Sequence, residues 1–483
     1  MSISGSFRRT IVAALIIFLT GFSAKIVFDK ISLAIGDSEY RRLVRDRVRH
    51  VVIVIQENRS FDNLFYDFPG ADSAKFAKIS DGSIQFLKPV GLAAGYDLDN
   101  SLAAFRETTH DGKMDRYDWR AAFPRGRADV PLPAAQYPAL AFVPKTDVLP
   151  YWELANQFVL ADHMFPTNFD QSYAAHLFLI AGSAGRAVDV PDHYPWGCDA
   201  QRGTRVALLS PLTGKVDGAS FPCFSIPTIA DQLDKAGRTW RYYAPLVSDG
   251  AAWRSFRSAN RKREAFNHRS ANQPSAFDQG QLWSAFDSIP SVRFGPAWDH
   301  VISPPAQALS DIRNGKLADV TWIVPDWKNS DHPFSRSSTG PSWVAAIVNE
   351  IGVSKFWRET VVVVVWDDSG GWFDHVTPPQ VDYNGLGVRV PLLIVSPYAK
   401  HGVVSRRAYE FGSILRLIEA VCGLNTMPMS ARSNERCSKV ESTATRTCGA
   451  LRRRSATRVH RIGCISAMLE PHSTKASVAS MSS

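Results

Sequence analysis

Thr360-Val-Val-Val-Val-Val-Trp-Asp-Asp-Ser-Gly-Gly371 is the stretch on which the reading of the fold turns. An unbroken β-branched run with no polar residue at alternate positions fits a strand covered on both faces, as in a parallel sheet. It ends abruptly at two aspartates and two glycines. His50-Val-Val-Ile-Val-Ile-Gln56, Asp319-Val-Thr-Trp-Ile-Val324 and Val390-Pro-Leu-Leu-Ile-Val-Ser396 read the same way. Between and after them the apolar spacing becomes helical, with Val344, Ile347, Val348 and Ile351 inside 342–352, and again over 411–421. Strand and helix alternate, so the sequence predicts an α/β domain with a mostly parallel sheet.

A chain of 483 residues, 45% hydrophobic and 11% aromatic, can bury a large core. The domain is read over 50–427. Within it, 71–156 and 186–299 are rich in Gly, Pro, Trp and Tyr and lack periodic runs. They are read as insertions forming a cap that walls a cleft. From 428 to 483 the composition turns to Ser, Arg, Thr and Ala, and a disordered tail is expected. Residues 1–28 carry Arg8-Arg9 followed by the apolar run Ile11 to Phe22. This reads as a signal peptide, or as an uncleaved anchor reaching Phe28, ahead of a basic linker over 29–49. The expectation is a protein exported to the periplasm or beyond, or held at the membrane. Cys198 and Cys223 bracket a Gly- and Pro-rich loop and are read as a disulfide, with two buried thiols the alternative. The net charge of +9 comes partly from arginines near the two ends. No zinc-finger, helix-turn-helix or RNA-recognition signature accompanies it, so nucleic acid is not the expected partner; an anionic substrate or membrane surface suits the sign.

The chemistry collects where strands end. Gln56-Glu57-Asn58-Arg59-Ser60-Phe61-Asp62 follows the first strand, and Asp367-Asp368-Ser-Gly-Gly-Trp-Phe-Asp374-His375 follows the valine strand. In open α/β sheets the crevice at the carboxyl ends of the strands is where ligands bind. Three carboxylates and one amide gathered there would repel one another unless a cation lay among them. Glu57, Asn58, Asp367 and Asp368 offer oxygen ligands, which suit one divalent ion such as Ca²⁺, Mg²⁺ or Mn²⁺ better than Zn²⁺. Taken singly, Glu57-Asn58 also reads as a helix cap and Asp367-Asp368 as a polar turn.

Glu57 to Asp62, Asp367 to Val376, and Arg389-Val-Pro-Leu-Leu-Ile-Val-Ser-Pro-Tyr-Ala-Lys400 together resemble the signature segments of a bacterial phosphoesterase family. That family includes phosphatidylcholine-type phospholipases C and a respiratory-burst-inhibiting acid phosphatase. The resemblance runs from about His50 to Gly423. It implies an alkaline-phosphatase-like three-layer α/β/α sandwich, a bound metal, and a hydroxyl nucleophile that is itself a metal ligand.

Carried over by position, the resemblance implies Glu57, Asn58, Asp367 and Asp368 as metal ligands and Ser172 as both ligand and nucleophile. On its own, Ser172 reads as a capping serine where a polar loop opens an apolar helical run. Asp331-His332-Pro333 matches a further family segment. His332 is the candidate for protonating the leaving alcohol or holding the phosphoryl group, with Asp331 beside it to tune it. His375 with Asp374 is read as orienting the ligand loop, or else as an inter-loop salt bridge.

Two departures stand out. Ala174-Ala175-His176 replaces the family's Pro-Asn-Arg, so the arginine contact to phosphate is absent or taken over by His176. Asn100, in Tyr96-Asp-Leu-Asp-Asn-Ser101, stands where relatives often carry histidine, and His110 is a substitute with nothing to support it. Trp119, Trp196, Trp240, Tyr242 and Tyr243 could cradle a choline-like cation, although packing is the ordinary use of such rings. The expected function is a metal-dependent phosphoesterase, foremost a phospholipase C acting on phospholipids. The alternatives are an acid phosphatase and a family member that binds phospholipid without turnover.

Overall fold

The computed structural model describes residues 42, 44–124, 136–169, 171–245, 283–427 and 465–469. The leader read at 1–28, most of the basic linker and nearly all of the tail lie outside the described residues. No helix among the described residues is long and apolar enough to cross a membrane.

Among the described residues the central sheet has nine strands. In chain order these are β1 (His50–Gln56), β2 (Val159–Phe165), β3 (Trp240–Tyr243), β4 (Val301–Ile302), β5 (Val320–Ile323), β6 (Thr360–Trp366), β7 (Val390–Val395), β8 (Val403–Ser405) and β9 (Tyr409–Glu410). Across the sheet they run β4-β3-β5-β1-β6-β7-β2-β8, with β9 also on β2. All seven residues of β6 are buried, as the valine run requires. Parallel pairing joins β5, β1 and β6, with Val51 opposite Val320 and Val361.

Among the described residues β7 is the strand that runs against its neighbours, antiparallel to β6 and to β2. No named helix or strand separates β6 from β7 along the chain, so β7 returns without the crossover helix a parallel pair needs. Its composition could not reveal this, because a strand buried on both faces reads alike in either direction. Pro391 has no N–H to give the ladder, and the register between β7 and β2 shifts there.

The helices α1 (Leu149–Gln157), α2 (Ser172–Ala181), α3 (Gln307–Arg313), α4 (Gly340–Val353) and α5 (Phe411–Cys422) flank the sheet. Helices α1 and α3 each pack on α4, and α2 packs on α5, in the manner of a three-layer α/β/α sandwich. Val344, Ile347, Val348 and Ile351 form the buried stripe of α4. Every residue of α2 is buried.

Three boundaries differ from the sequence reading. Trp240–Tyr243 lies inside the supposed insertion 186–299 yet forms β3 of the main sheet. Four residues are too short a run to stand out, and Trp240, Tyr242 and Tyr243 are core residues rather than a cradle; Trp240 packs on Phe286 with ring centroids 5.0 Å apart. Val44 and Val48, in the basic linker, are buried in the core. Ile465, Met468 and Leu469, within the supposed tail, also join that core, and Leu469 bridges to Ala399. In each case a few apolar residues find a buried surface despite their polar neighbourhood. The first insertion builds its own apolar cluster, around Tyr96, Leu98, Phe105 and Tyr117, which includes Trp372 and Phe373 from the loop after β6. Cys198 and Cys223 are joined as a disulfide.

Candidate active site

The register of β1 and β6 aligns the two acidic loops. Gln56 pairs with Trp366, so Glu57 and Asp367 leave the sheet side by side, and the Asp367 N–H donates to the Gln56 carbonyl over 3.0 Å. Asn58 adopts a left-handed backbone, φ 58°, and its N–H donates to Asp367 Oδ1 over 2.9 Å. Asn tolerates that conformation better than most residues. Arg59 locks the loop: its Nε donates to the Asp331 carbonyl over 2.9 Å, and Nη1 donates to Asn63 Oδ1 over 3.1 Å.

Ser172 is the first residue of α2, set by Gln171 at φ 72°. A non-glycine residue held there is strained, a state that surroundings must enforce. Its hydroxyl lies 3.2 Å from Asn58 Oδ1 and 3.1 Å from Asp368 Oδ2. One turn on, His176 Nε2 lies 3.0 Å from Glu57 Oε1 and 3.6 Å from Asp367 Oδ2. The amide of Asn100 reaches Asp368 Oδ1 at 3.4 Å, and Gln171 Nε2 donates to Asn100 Oδ1 over 3.2 Å.

Glu57, Asp367 and Asp368 are wholly buried. Burial first, and then the neighbouring Asp367, pushes the Glu57 carboxyl well above the usual carboxylate range. Burial also opposes charge on Asp367, but the adjoining His176 foremost, with Glu57 and Ser172, outweighs it and holds that carboxyl below its ordinary value. Glu57 Oε2 and Asp367 Oδ2 have no hydrogen-bond partner. Buried carboxylate oxygens are seldom left so, because the desolvation cost is then uncompensated. The donor set of carboxylates, an amide, a hydroxyl and an imidazole fits a divalent cation. Ligand atoms of Glu57, His176 and Asp367 all lie within 4.8 Å of one another.

The profile of the Phosphoesterase family matches residues 48–425. The chain belongs to the phosphoesterase family.

It is 25% identical over 417 residues to a protein named hemolytic phospholipase C from Pseudomonas aeruginosa, covering 78% of this chain and 53% of that protein. To phospholipase C A from Mycobacterium tuberculosis it is 24% identical over 435 residues, covering 80% of this chain and 74% of the relative. The phosphoesterase-family chain thus spans about half the length of the Pseudomonas relative. Among solved structures it is similar to a protein in the alkaline phosphatase superfamily from Vibrio parahaemolyticus, with TM-score 0.37 and 11% identity, covering 81% of this chain and 77% of that one.

In this phosphoesterase-family chain the loop after β5 is tied to the first acidic loop. Gln56 Oε1 accepts from the Asp331 N–H over 2.9 Å, and Gln56 Nε2 donates to the Asn329 carbonyl over 3.0 Å. His332 therefore stands at the same edge of the sheet. Its Nδ1 accepts the Phe334 N–H over 3.2 Å, so in the neutral ring the proton is on Nε2, which faces Asp97 Oδ2 at 4.0 Å. Trp327 and Trp283 wall the imidazole, with ring centroids 4.8 Å and 5.9 Å away.

Several readings change on this geometry. Asp331 does not tune His332: its Oδ2 accepts from Tyr151 Oη over 2.8 Å and from Trp366 Nε1 over 2.9 Å. The carboxylate facing His332 is Asp97, pushed up to about 7 by burial. It lies in the segment singled out for Asn100, where only its spacing from other residues of the site concealed it. His176 does not stand in as a phosphate-binding arginine, because its Nε2 is directed at Glu57 and Asp367. His375 makes the inter-loop bridge rather than orienting the ligand loop, with Nδ1 2.7 Å from Asp62 Oδ2 and Nε2 3.1 Å from Asp72 Oδ1, while Asp374 pairs with Arg389. His110 pairs with Asp115 at 2.6 Å. Gln171, Arg59 and Asp97 were missed because nothing in their local sequence distinguishes them from ordinary polar residues.

Proposed function

We propose that this chain hydrolyses phosphate esters through Ser172, with phospholipids cleaved in the manner of a phospholipase C as the foremost substrate. One observation carries the reading: the Ser172 hydroxyl, at a helix N-terminus, lies 3.2 Å from Asn58 Oδ1 and 3.1 Å from Asp368 Oδ2 beside buried carboxylate oxygens that accept no hydrogen bond. The names of the relatives support the substrate class.

Glu57, Asn58, Ser172, Asp367 and Asp368 would hold a divalent ion, which when bound lowers the pKa of a coordinated hydroxyl and neutralises phosphoryl charge. Ser172 Oγ then attacks phosphorus, its proton passing to solvent. The P–O bond to the alcohol breaks as a phosphoserine forms, while the His332 Nε2–H hydrogen-bonds the departing oxygen, which takes its proton from solvent. Water attacks the phosphoserine, regenerating the serine and releasing phosphate or a phosphomonoester. The N–H groups at the start of α2 and the amides of Asn100 and Gln171 supply donors for phosphate oxygens without a charged arginine. The apolar N-terminal run and the Cys198–Cys223 disulfide support a place of action outside the cytoplasm.

The test compares phosphatidylcholine, a chromogenic phosphodiester and a chromogenic phosphomonoester, with and without chelator. Diester turnover exceeding monoester turnover is expected, abolished by chelator and reduced at least about 10³-fold in Ser172→Ala. A preference for the monoester would make the chain an acid phosphatase instead. No turnover of any ester, with lipid binding retained, would make it a binder.

A further inference from the structure

Helix α2 presents two side chains to the acidic loops. Ser172 and His176 are four residues apart and so share one face. The serine addresses Asn58 and Asp368; the imidazole addresses Glu57 and Asp367. His176 is 2% exposed. Its Nε2 is 3.0 Å from Glu57 Oε1 and 3.6 Å from Asp367 Oδ2, and neither Glu57 Oε2 nor Asp367 Oδ2 accepts a hydrogen bond. His176, Ser284 and Ser288 line part of a cavity of about 10 Å³. Nδ1 of His176 and the Ser284 hydroxyl have no hydrogen-bond partner. A space of that size takes one water, through which Nδ1–H can reach a serine oxygen. A metal-bound histidine needs its other ring nitrogen to have such an outlet, which fixes the tautomer with the lone pair on the metal side.

We infer that His176 is a nitrogen ligand of the metal site, so that the site takes a first-row transition ion such as Zn²⁺ or Mn²⁺ in preference to Ca²⁺ or Mg²⁺. The inference rests on the metal site of the proposed phosphoesterase. It alters the cation expected from the oxygen ligands alone. Calcium and magnesium sites are built from oxygen, whereas imidazole beside carboxylates suits zinc, iron and their neighbours. The competing role is a buried His176–Glu57 ion pair that no ion disturbs.

The experiment strips the full-length protein of metal and titrates Zn²⁺, Co²⁺ and Ca²⁺ into wild type and His176→Gln, reading affinity by competition with a chromophoric chelator and coordination by cobalt d–d absorption. Wild type is expected to bind Zn²⁺ at least about 100-fold more tightly than Ca²⁺. His176→Gln is expected to weaken Zn²⁺ by at least about 10-fold, to shift the cobalt bands, and to leave Ca²⁺ within about threefold. Unchanged cobalt bands, or equal losses for zinc and calcium, would overturn the assignment. Should the variant not fold, a structure of the zinc-loaded wild type decides: Nε2 about 2.0–2.1 Å from the ion supports it, and Nε2 still hydrogen-bonded to Glu57 overturns it. Zinc held by His176 without ester hydrolysis would sink the proposed enzyme and leave this ligand standing; hydrolysis with cobalt bands indifferent to His176 would do the reverse.

Discussion

Asp331 turns its carboxylate away from the adjoining His332 and accepts the Tyr151 hydroxyl over 2.8 Å. The same oxygen accepts Trp366 Nε1 over 2.9 Å, so this side chain ties α1 to the end of β6 beneath the site. Burial pushes its carboxyl up to about 6. Asp331→Ala is expected to act on stability: it orphans two buried donors, each costing about 1–3 kcal/mol. A thermal melt should fall by a few degrees, since the shift per kcal/mol, roughly 2–4 °C in a domain of 150–250 residues, is smaller in this larger one. A melt within about 1 °C of wild type would refute this account.

His332 and Asp97 are expected to reveal themselves through the leaving group. Nε2 is the protonated nitrogen of the neutral ring and faces Asp97 at 4.0 Å. A p-nitrophenolate departs without help, whereas an alkyl alcohol needs a proton. His332→Ala should therefore cost about 10²–10⁴-fold with the alkyl ester and far less with the nitrophenyl ester. Burial raises the Asp97 carboxyl to about 7, so it ionises across neutral pH and then holds the imidazole N–H. The ionised Asp97 then competes with the leaving oxygen for that N–H, so a fall in alkyl-ester rate through about pH 7 is expected, and Asp97→Asn should flatten it. Equal losses on both esters would argue against His332 acting on the leaving oxygen.

How much of this was open to a reader of the sequence depends on how local each signal was. The β6 valines and the β1 run identify buried strands by composition, and the acidic residues after them are legible because the sheet brings parallel strand ends to one edge. The Glu57–Asp367 adjacency needed only that rule. The direction of β7, the membership of Trp240–Tyr243 in the sheet and the return of Ile465 to Leu469 depend on packing against segments remote in the chain, such as Val395 on Val362, Trp240 on Val320 and Leu469 on Ala399. His176 was visible as a departure, but its contact with Glu57 follows from the helical phase of α2 against the β1 loop. Asp97 takes the place beside His332 expected of Asp331, because adjacency in sequence says nothing about the direction of a carboxylate in a loop.

His375 is expected to make stability depend on alkaline pH. Burial works against its charge, but hydrogen bonds to Asp62 and Asp72, with the charges of Asp62 and Asp374, prevail and raise it to about 10. Arg389 is also present in this network, paired with Asp62 and Asp374. A folded value above the unfolded value of about 6.5 gives stabilisation fully present below pH 6.5 and lost as pH rises through about 10. His375→Gln should therefore melt below wild type near pH 6, with the gap closing by about pH 10.5. A gap that stays constant over this range would show that the ring acts by packing alone.

Gly370 is expected to admit no side chain without displacing the Asp367-Asp368 loop. It has φ 60°, in the left-handed region that favours glycine. A methyl there would overlap the Asn58 carbonyl oxygen and stand 2.7 Å from Asn58 Cβ, in a loop whose Gly370 N–H already donates to Asp368 Oδ1 over 2.6 Å. Because both loops are buried, neither can yield outward, and relief must come from moving Asn58 or Asp368, the two residues that meet the Ser172 hydroxyl. Misplacing them by about 1 Å can cost about 10²-fold. Gly370→Ala should thus lose at least that factor in kcat and weaken metal binding in the same titration. Ser369→Ala, one residue earlier and without the left-handed backbone, serves as the control and should lose much less. Full activity in Gly370→Ala would mean that the Asn58–Asp368 spacing does not govern Ser172.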